Sequence, residues 1–150
     1  RSEMLLGSCY AGVAFANSPV AAVHALAYPL GTHFKVPHGL SNSLMLSHVI
    51  RFNADGSNSA AHEYSEAAKI IFGQSALGWP SDLHGAHYLA DSFELLSEEL
   101  NLPLKLSEVG VTENDIEALT SAAAKQERLL PNNPVPVSID DIRELYLKAL

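Results

Sequence analysis

Cysteine and positive charge are both scarce in this chain of 150 residues. Its single cysteine, Cys9, has no partner for an internal disulfide bond, which favours a reducing compartment such as the cytoplasm. Lysine and arginine number 9 against 17 acidic residues, so the net charge is −8 and no basic stripe is present to bind nucleic acid. The apolar runs stay far short of the ~18 residues that a membrane-spanning helix needs. The composition therefore predicts an acidic globular domain with neither nucleic acid nor a membrane as its partner.

Strand patterns are also missing. No segment alternates apolar and polar residues with a period of two, whereas apolar residues recur at helical spacing along most of the chain. At 47% hydrophobic residues, 150 residues suffice for one packed core. The sequence predicts an all-α domain of about seven helices, over residues 3–16, 19–28, 37–53, 59–72, 82–100, 112–129 and 139–149.

Caps and prolines set the predicted helix ends. Ser18 followed by Pro19 is a favourable start for the second helix, and Pro29 is expected to end it before a loop that reaches Pro37. The first helix is apolar on nearly all sides, a composition typical of a deeply buried helix. Capping-box patterns are predicted at two later helix starts: Thr112 with Asp115, and Ser138 with Asp141.

Seven histidines are the main candidates for chemistry: His24, His33, His38, His48, His62, His84 and His87. His62 lies on a polar helix face and is expected to be solvated. His84 and His87 have a spacing that can chelate a metal, although such pairs are usually surface features. His48 is expected to be packed and hydrogen-bonded at the end of an apolar helix, and His33 to lie in the loop after Pro29.

His24 and His38 have different surroundings. His24 lies in the middle of an apolar helix, where an imidazole without a partner is costly to bury. His38 stands between Pro37 and Gly39 at a helix start, a rigid position that another group can approach closely. Together they can supply two nitrogen donors to a metal ion, although no Asp or Glu lies within a turn of either one, and ordinary buried histidines remain the alternative.

Four ordered blocks carry a resemblance to a known family. They are residues 11–17 (AGVAFAN), 24–31 (HALAYPLG), 36–42 (VPHGLSN) and 48–53 (HVIRFN). Together with Asn133-Pro134 and the segment from Ser138 to Tyr146, they resemble the iron-containing alcohol dehydrogenases over essentially the whole chain. The central pattern, His-x3-[His/Tyr]-Pro-Leu-Gly-x6-His-Gly, is quite specific.

The resemblance implies a two-domain enzyme with a dehydroquinate synthase-like fold. Residues 1–150 would be the helical metal-binding C-terminal domain, truncated, and the N-terminal domain that binds NAD or NADP would be absent from this chain. The family's metal ligands are one Asp and three His, of which two map onto His24 and His38. The other two are expected before Arg1. The implied metal is Fe²⁺, with Zn²⁺ as the alternative.

The implied reaction is hydride transfer between NAD(P) and a small alcohol, aldehyde or ketone in the full-length enzyme, with the 150-residue piece inactive alone. Many family members carry a relay histidine where this chain has Tyr28, and a phenol, which ionises near pH ~10, is a poorer proton relay than imidazole. Three alternatives stay open: a maleylacetate reductase-like protein, a glycerol dehydrogenase-like protein, and a metal-free helical assembly module. The oligomeric state is also open, with a homo-oligomer as one outcome.

Overall fold

A computed structural model describes residues 1–73 and 78–150 of the chain. Within those residues the fold is all-α, with no strand, which confirms the predicted class. The α-helices are α1 (Ser2–Asn17), α2 (Ala22–Phe34), α3 (His38–Gly56), α4 (Asn58–Phe72), α5 (Asp82–Glu99), α6 (Ile116–Ala124) and α7 (Ile139–Ala149). Short 3₁₀ turns span Leu106–Val109, Glu113–Asp115 and Leu130–Asn132.

Helix α3 is the centre of the fold, because it packs against α2, α4, α5 and α7. The main core lies where α2, α3, α6 and α7 meet, and its fully buried large side chains include Leu26, Leu30, Met45, Leu119, Ile142 and Tyr146. A smaller core between α3, α4 and α5 contains Ile50, Ala68, Leu89 and Ala90. The two faces of α3 therefore hold the two cores together.

Two polar links reinforce α3. The Arg51 guanidinium donates to Asp91 and Glu94 of α5, each at 2.6 Å. Asn53, which is 1% exposed, forms a reciprocal amide pair with Asn133: each Nδ2 donates to the other Oδ1, at 3.2 and 2.6 Å. Helix α3 continues to Gly56, three residues past its predicted end at residue 53, and the Asn53–Asn133 pair attaches the proline-rich segment before α7 to it.

Helix α2 differs from its prediction at both ends. It begins at Ala22 without a side-chain cap, whereas Ser18 and Pro19 were expected to start it, and it continues through Pro29 to Phe34. The expected break at Pro29 is wrong because Pro29, with Leu26 and Leu30, is buried in the core, and packing outweighs the lost backbone hydrogen bond. The helix ends at Lys35, in the left-handed conformation, so the loop before α3 is short.

Helix α1 is the largest departure from the sequence-based expectation. None of its residues is buried, and Met4 and Leu5 are 78% and 75% exposed. The prediction of deep burial is wrong in this structure, because α1 bends away from α2 by 108° and lies off both cores. No single described helix is long and apolar enough to cross a membrane; only α1 and α2 together, across this bend, reach that length and composition.

The remaining helix starts agree well with their predicted caps. Thr112 and Asp115 form the predicted capping box, as do Ser138 and Asp141. The predicted helix over 112–129 is too long: it begins as a 3₁₀ turn and its α-helical part covers Ile116–Ala124 only. A 3₁₀ turn at Leu130–Asn132 replaces its last part.

Candidate metal centre

The start of α3 brings His38 against α2. Lys35 reverses the chain direction, and Ser41 holds the turn by donating its hydroxyl to the carbonyls of Val36 and Pro37 at 3.3 and 3.2 Å. The ring centres of His24 and His38 then lie 5.2 Å apart. Two imidazoles separated by 13 intervening residues thus share one site.

Tyr28 completes the ring cluster. Its ring centre lies 5.8 Å from that of His38 and 6.2 Å from that of His24, one helical turn earlier on α2. The three rings, with Phe15 and Val20, line an open pocket of about 370 Å³. Tyr28 is 39% exposed, so its hydroxyl can be reached from solvent and by a small molecule.

Asn42 connects the two imidazoles. Its amide Nδ2 lies 3.4 Å from Nε2 of His24 and 3.2 Å from Nε2 of His38, so both ring nitrogens point toward one place. The other end of the amide, Oδ1, is buried and has no hydrogen-bond partner among the described residues. Sequence reasoning missed Asn42, although its position four residues after His38 places both on one face of α3.

His24 is more buried than His38. Half-buried His24 has its pKa lowered, first by desolvation and then by the nearby His38, while His38 is exposed. The neutral ring, which is the form that binds metals, is therefore favoured at His24 near pH 7.

The donor set fits part of a divalent metal site. Imidazole nitrogens suit both iron and zinc, and the two Nε2 atoms converge on one place. Protein metal sites have three or four protein donors, however, and no cluster of three His, Cys, Asp or Glu occurs within residues 1–73 and 78–150. The described residues thus bring together two nitrogen atoms that could bind a metal, fewer than a protein metal site has.

The other histidines lie elsewhere, each with its own surroundings. His62 is exposed as predicted and pairs with Asp82 at 2.9 Å. His87 pairs with Asp55 at 2.9 Å, whereas the ring of His84 faces Trp79, so these two histidines do not converge. The pKa of half-buried His48 is lowered chiefly by desolvation. His33 was expected in a loop but lies exposed in the last turn of α2.

Comparison with known proteins gives a consistent result. The model of the Fe-containing alcohol dehydrogenase family, C-terminal, matches residues 1–150. The long-chain-alcohol dehydrogenase 1 of Geobacillus thermodenitrificans is 34% identical. The alignment covers 99% of this chain and 36% of that protein. The lactaldehyde reductase of Escherichia coli K12 is 33% identical over 98% of this chain and 37% of its own length.

A solved structure agrees at the level of the fold. The alcohol dehydrogenase from Oenococcus oeni superimposes with a TM-score of 0.82 at 26% identity, over 93% of this chain and 35% of that one. The chain thus spans little more than a third of the length of the relatives that it matches.

Proposed function

The chain belongs to the iron-containing alcohol dehydrogenase family, and from that membership we propose that it is the helical metal-binding domain of an enzyme that moves a hydride between an alcohol or carbonyl compound and NAD or NADP. The convergence of the His24 and His38 Nε2 atoms carries this proposal. Two nitrogen donors at one pocket have a clear chemical use in this family, whereas a packing role alone would not require them to converge.

His24 and His38 would hold the ion from two rigid helices, with Fe²⁺ as the proposed metal and Zn²⁺ as the alternative. When bound, such a metal supplies Lewis acidity to an alcohol or carbonyl oxygen. The burial of His24 contributes by keeping its ring neutral, so that no proton has to leave before the nitrogen binds. The open, partly apolar pocket beside both rings leaves room for a small alcohol or carbonyl compound next to the site.

Tyr28 is the proposed proton-relay residue. Its ring lies beside both histidines at the pocket wall, and its hydroxyl can both donate and accept a hydrogen bond. A phenol can therefore pass a hydrogen bond between the pocket and solvent, in the place where many members of the family carry an imidazole.

The remaining metal donors and the NAD(P) site are assigned to a separate, preceding domain of the enzyme. The fraction of the relatives' length that this chain covers supports this division. The free thiol of Cys9, exposed on α1, is consistent with the proposed cytoplasmic location.

Metal titration of the chain tests the proposal. We expect weak binding of Co²⁺, used as a spectroscopic substitute, and a loss of about tenfold or more in affinity for His24→Ala and for His38→Ala. His87→Ala, which removes a histidine outside the pocket, is the matched control and should bind like the parent. Equal Co²⁺ affinity in the parent and in all three variants would overturn the assignment of His24 and His38 as metal ligands.

A second candidate function is a metal-free assembly module, and the exposed apolar surface of α1 favours it. Under that alternative, tight binding to a partner protein survives the double change His24→Ala plus His38→Ala. In the proposed enzyme, the same double variant of the full-length protein loses NAD(P)-linked oxidation of alcohols.

A further inference from the structure

We propose that Asn42 is a positioning residue that sets the tautomer and the direction of both His24 and His38 before a metal arrives. The inference deepens the proposed function and rests on it only for the identity of the ion. Its basis is the contact of one amide nitrogen with the Nε2 atoms of two histidines from different helices.

The chemistry of the amide decides the tautomer. An Asn side chain has two N–H groups on one nitrogen, so Nδ2 can donate one hydrogen to each ring. A ring that accepts at Nε2 carries its hydrogen on Nδ1, so its Nε2 has no hydrogen to lose and can bind a metal once the amide moves aside. With the amide turned the other way, Oδ1 would accept from two Nε2–H groups, and both nitrogens would then be blocked.

The buried amide oxygen strengthens the argument. Oδ1 of Asn42 has no hydrogen-bond partner among the described residues, so the amide's described polar contacts are those to the two histidines. A buried carbonyl oxygen without a partner is unfavourable. The amide thus keeps its contacts with the two rings although its oxygen gains no partner among the described residues.

The distances from Nδ2 to the two rings also match the spacing between donors of one metal ion. Two donor atoms on one tetrahedral ion, each about 2.1 Å from it, are roughly 3.4 Å apart. The observed separations from Nδ2 to the two Nε2 atoms are 3.4 and 3.2 Å. An oxygen in the place of this amide nitrogen, which cannot bind a cation, would therefore lie at a suitable distance from both Nε2 atoms to act as a further donor.

The first test is ¹⁵N NMR of the imidazoles in the protein prepared without metal, near pH 9, where the neutral rings dominate. We expect the Nδ1–H tautomer at both His24 and His38, although imidazole side chains in water favour Nε2–H. In Asn42→Leu both rings should return to Nε2–H, while the signals of exposed His33 stay unchanged. Nε2–H at both rings of the parent protein, or the same tautomers in parent and variant, would overturn the proposal.

The second test uses Asn42→Asp, which keeps the shape of the side chain. A carboxylate only accepts hydrogen bonds, so both rings should change to Nε2–H in the absence of metal. The Nε2 hydrogens must then move to Nδ1 before a metal binds, but the added oxygen donor and its negative charge outweigh that cost, so Co²⁺ affinity should rise about tenfold or more over the parent. Asn58→Asp, the same change at an exposed position, is the matched control and should alter neither readout.

The two readouts separate this inference from the proposed function. If His24→Ala leaves Co²⁺ binding unchanged but Asn42→Leu still changes the tautomers, Asn42 positions the rings and the metal assignment fails. If His24→Ala weakens binding but Asn42→Leu and Asn42→Asp leave both tautomers as in the parent, the histidines bind metal and the role of Asn42 is wrong.

Discussion

At the scale of single residues, Gly85 shows how closely α4 and α5 approach. Gly85 is buried at the first turn of α5, opposite Ser65 of α4 and the indole ring of Trp79. A Cβ atom built on Gly85 would overlap Ser65 Oγ and would lie 2.5 Å from Cε3 of the Trp79 ring. The missing side chain is thus what lets the two helices and the indole ring pack together.

We expect Gly85→Ala to destabilise the fold by about 1–3 kcal/mol, because a methyl group at this site forces the ring or a helix to move. Urea unfolding monitored by circular dichroism measures the change. Gly39→Ala is the control: nothing lies within 4 Å of its added Cβ, and Ala favours the helix, so it should be neutral or stabilising. A Gly85→Ala protein as stable as Gly39→Ala would contradict the packing described here.

At the scale of elements, the start of α7 depends on one carboxylate. Oδ2 of Asp141 accepts from the backbone N–H and the hydroxyl of Ser138, at 2.8 and 2.6 Å, and these bonds lower the Asp141 pKa below its ordinary 3.8. The resulting stability is complete above that ordinary pKa and is lost as the pH falls through the lower, folded-state value. The start of α7 is therefore sensitive to acid.

Asp141→Asn should lower the free energy of unfolding at pH 7, because the amide replaces a charged acceptor. The difference from the parent should shrink as the pH falls below about 4, where the parent's carboxylate begins to take up a proton. Urea unfolding at pH 7, 4 and 2.5 measures it. The carboxylate of Asp140 contacts Arg143 and not Ser138, so Asp140→Asn should not show the same pH-dependent difference in unfolding free energy. If the difference in unfolding free energy between Asp141→Asn and the parent stays constant with pH, Asp141 does not act as a charged cap of α7.

The elements also show which parts of the fold the sequence predicts. Caps are local, so Ser138 with Asp141 and Thr112 with Asp115 could be identified from their spacing alone. Pro29 could not be judged locally, since the burial of its surroundings comes from α7 and α6, far along the chain.

The candidate metal centre was likewise predictable only in part from the sequence. The surroundings of His24 and His38 pointed to both residues, but the sequence could not show that one amide, that of Asn42, contacts both rings. That contact depends on the short turn at Lys35, which a loop predicted from Pro29 to Pro37 would not have produced. The metal role of the two histidines stays a prediction.

At the scale of the whole molecule, α1 leaves a large apolar surface in solvent. Leu6, Tyr10 and Val13 follow each other at helical spacing and are 52%, 66% and 57% exposed. Apolar patches of this kind are typical of surfaces that associate. The net charge of −8 opposes contact between copies and is screened by salt.

We expect the 16.1-kDa chain to self-associate with rising concentration, more strongly in high salt, because burial of α1 outweighs the screened repulsion. Leu6→Glu combined with Val13→Glu should restore the monomer. Light scattering during size exclusion measures the mass. The control, Ser2→Glu with Ser8→Glu, adds the same charge to α1 without removing apolar surface and should associate more than the Leu6/Val13 variant. A monomeric parent at every concentration and salt level would disprove this role of α1.

The buried hydroxyl of Tyr146 has a consequence for synthesis on the ribosome. It donates to the carbonyl oxygen of Leu26 at 2.7 Å and so joins α7 to the helix that carries His24, across 120 residues of sequence. At about 5–20 residues per second, translation reaches Tyr146 roughly 6 to 24 s after Leu26. During that interval α2 can pack against α3, but the main core still lacks α7. The main core can therefore close around Leu26 only after α7 has been synthesised.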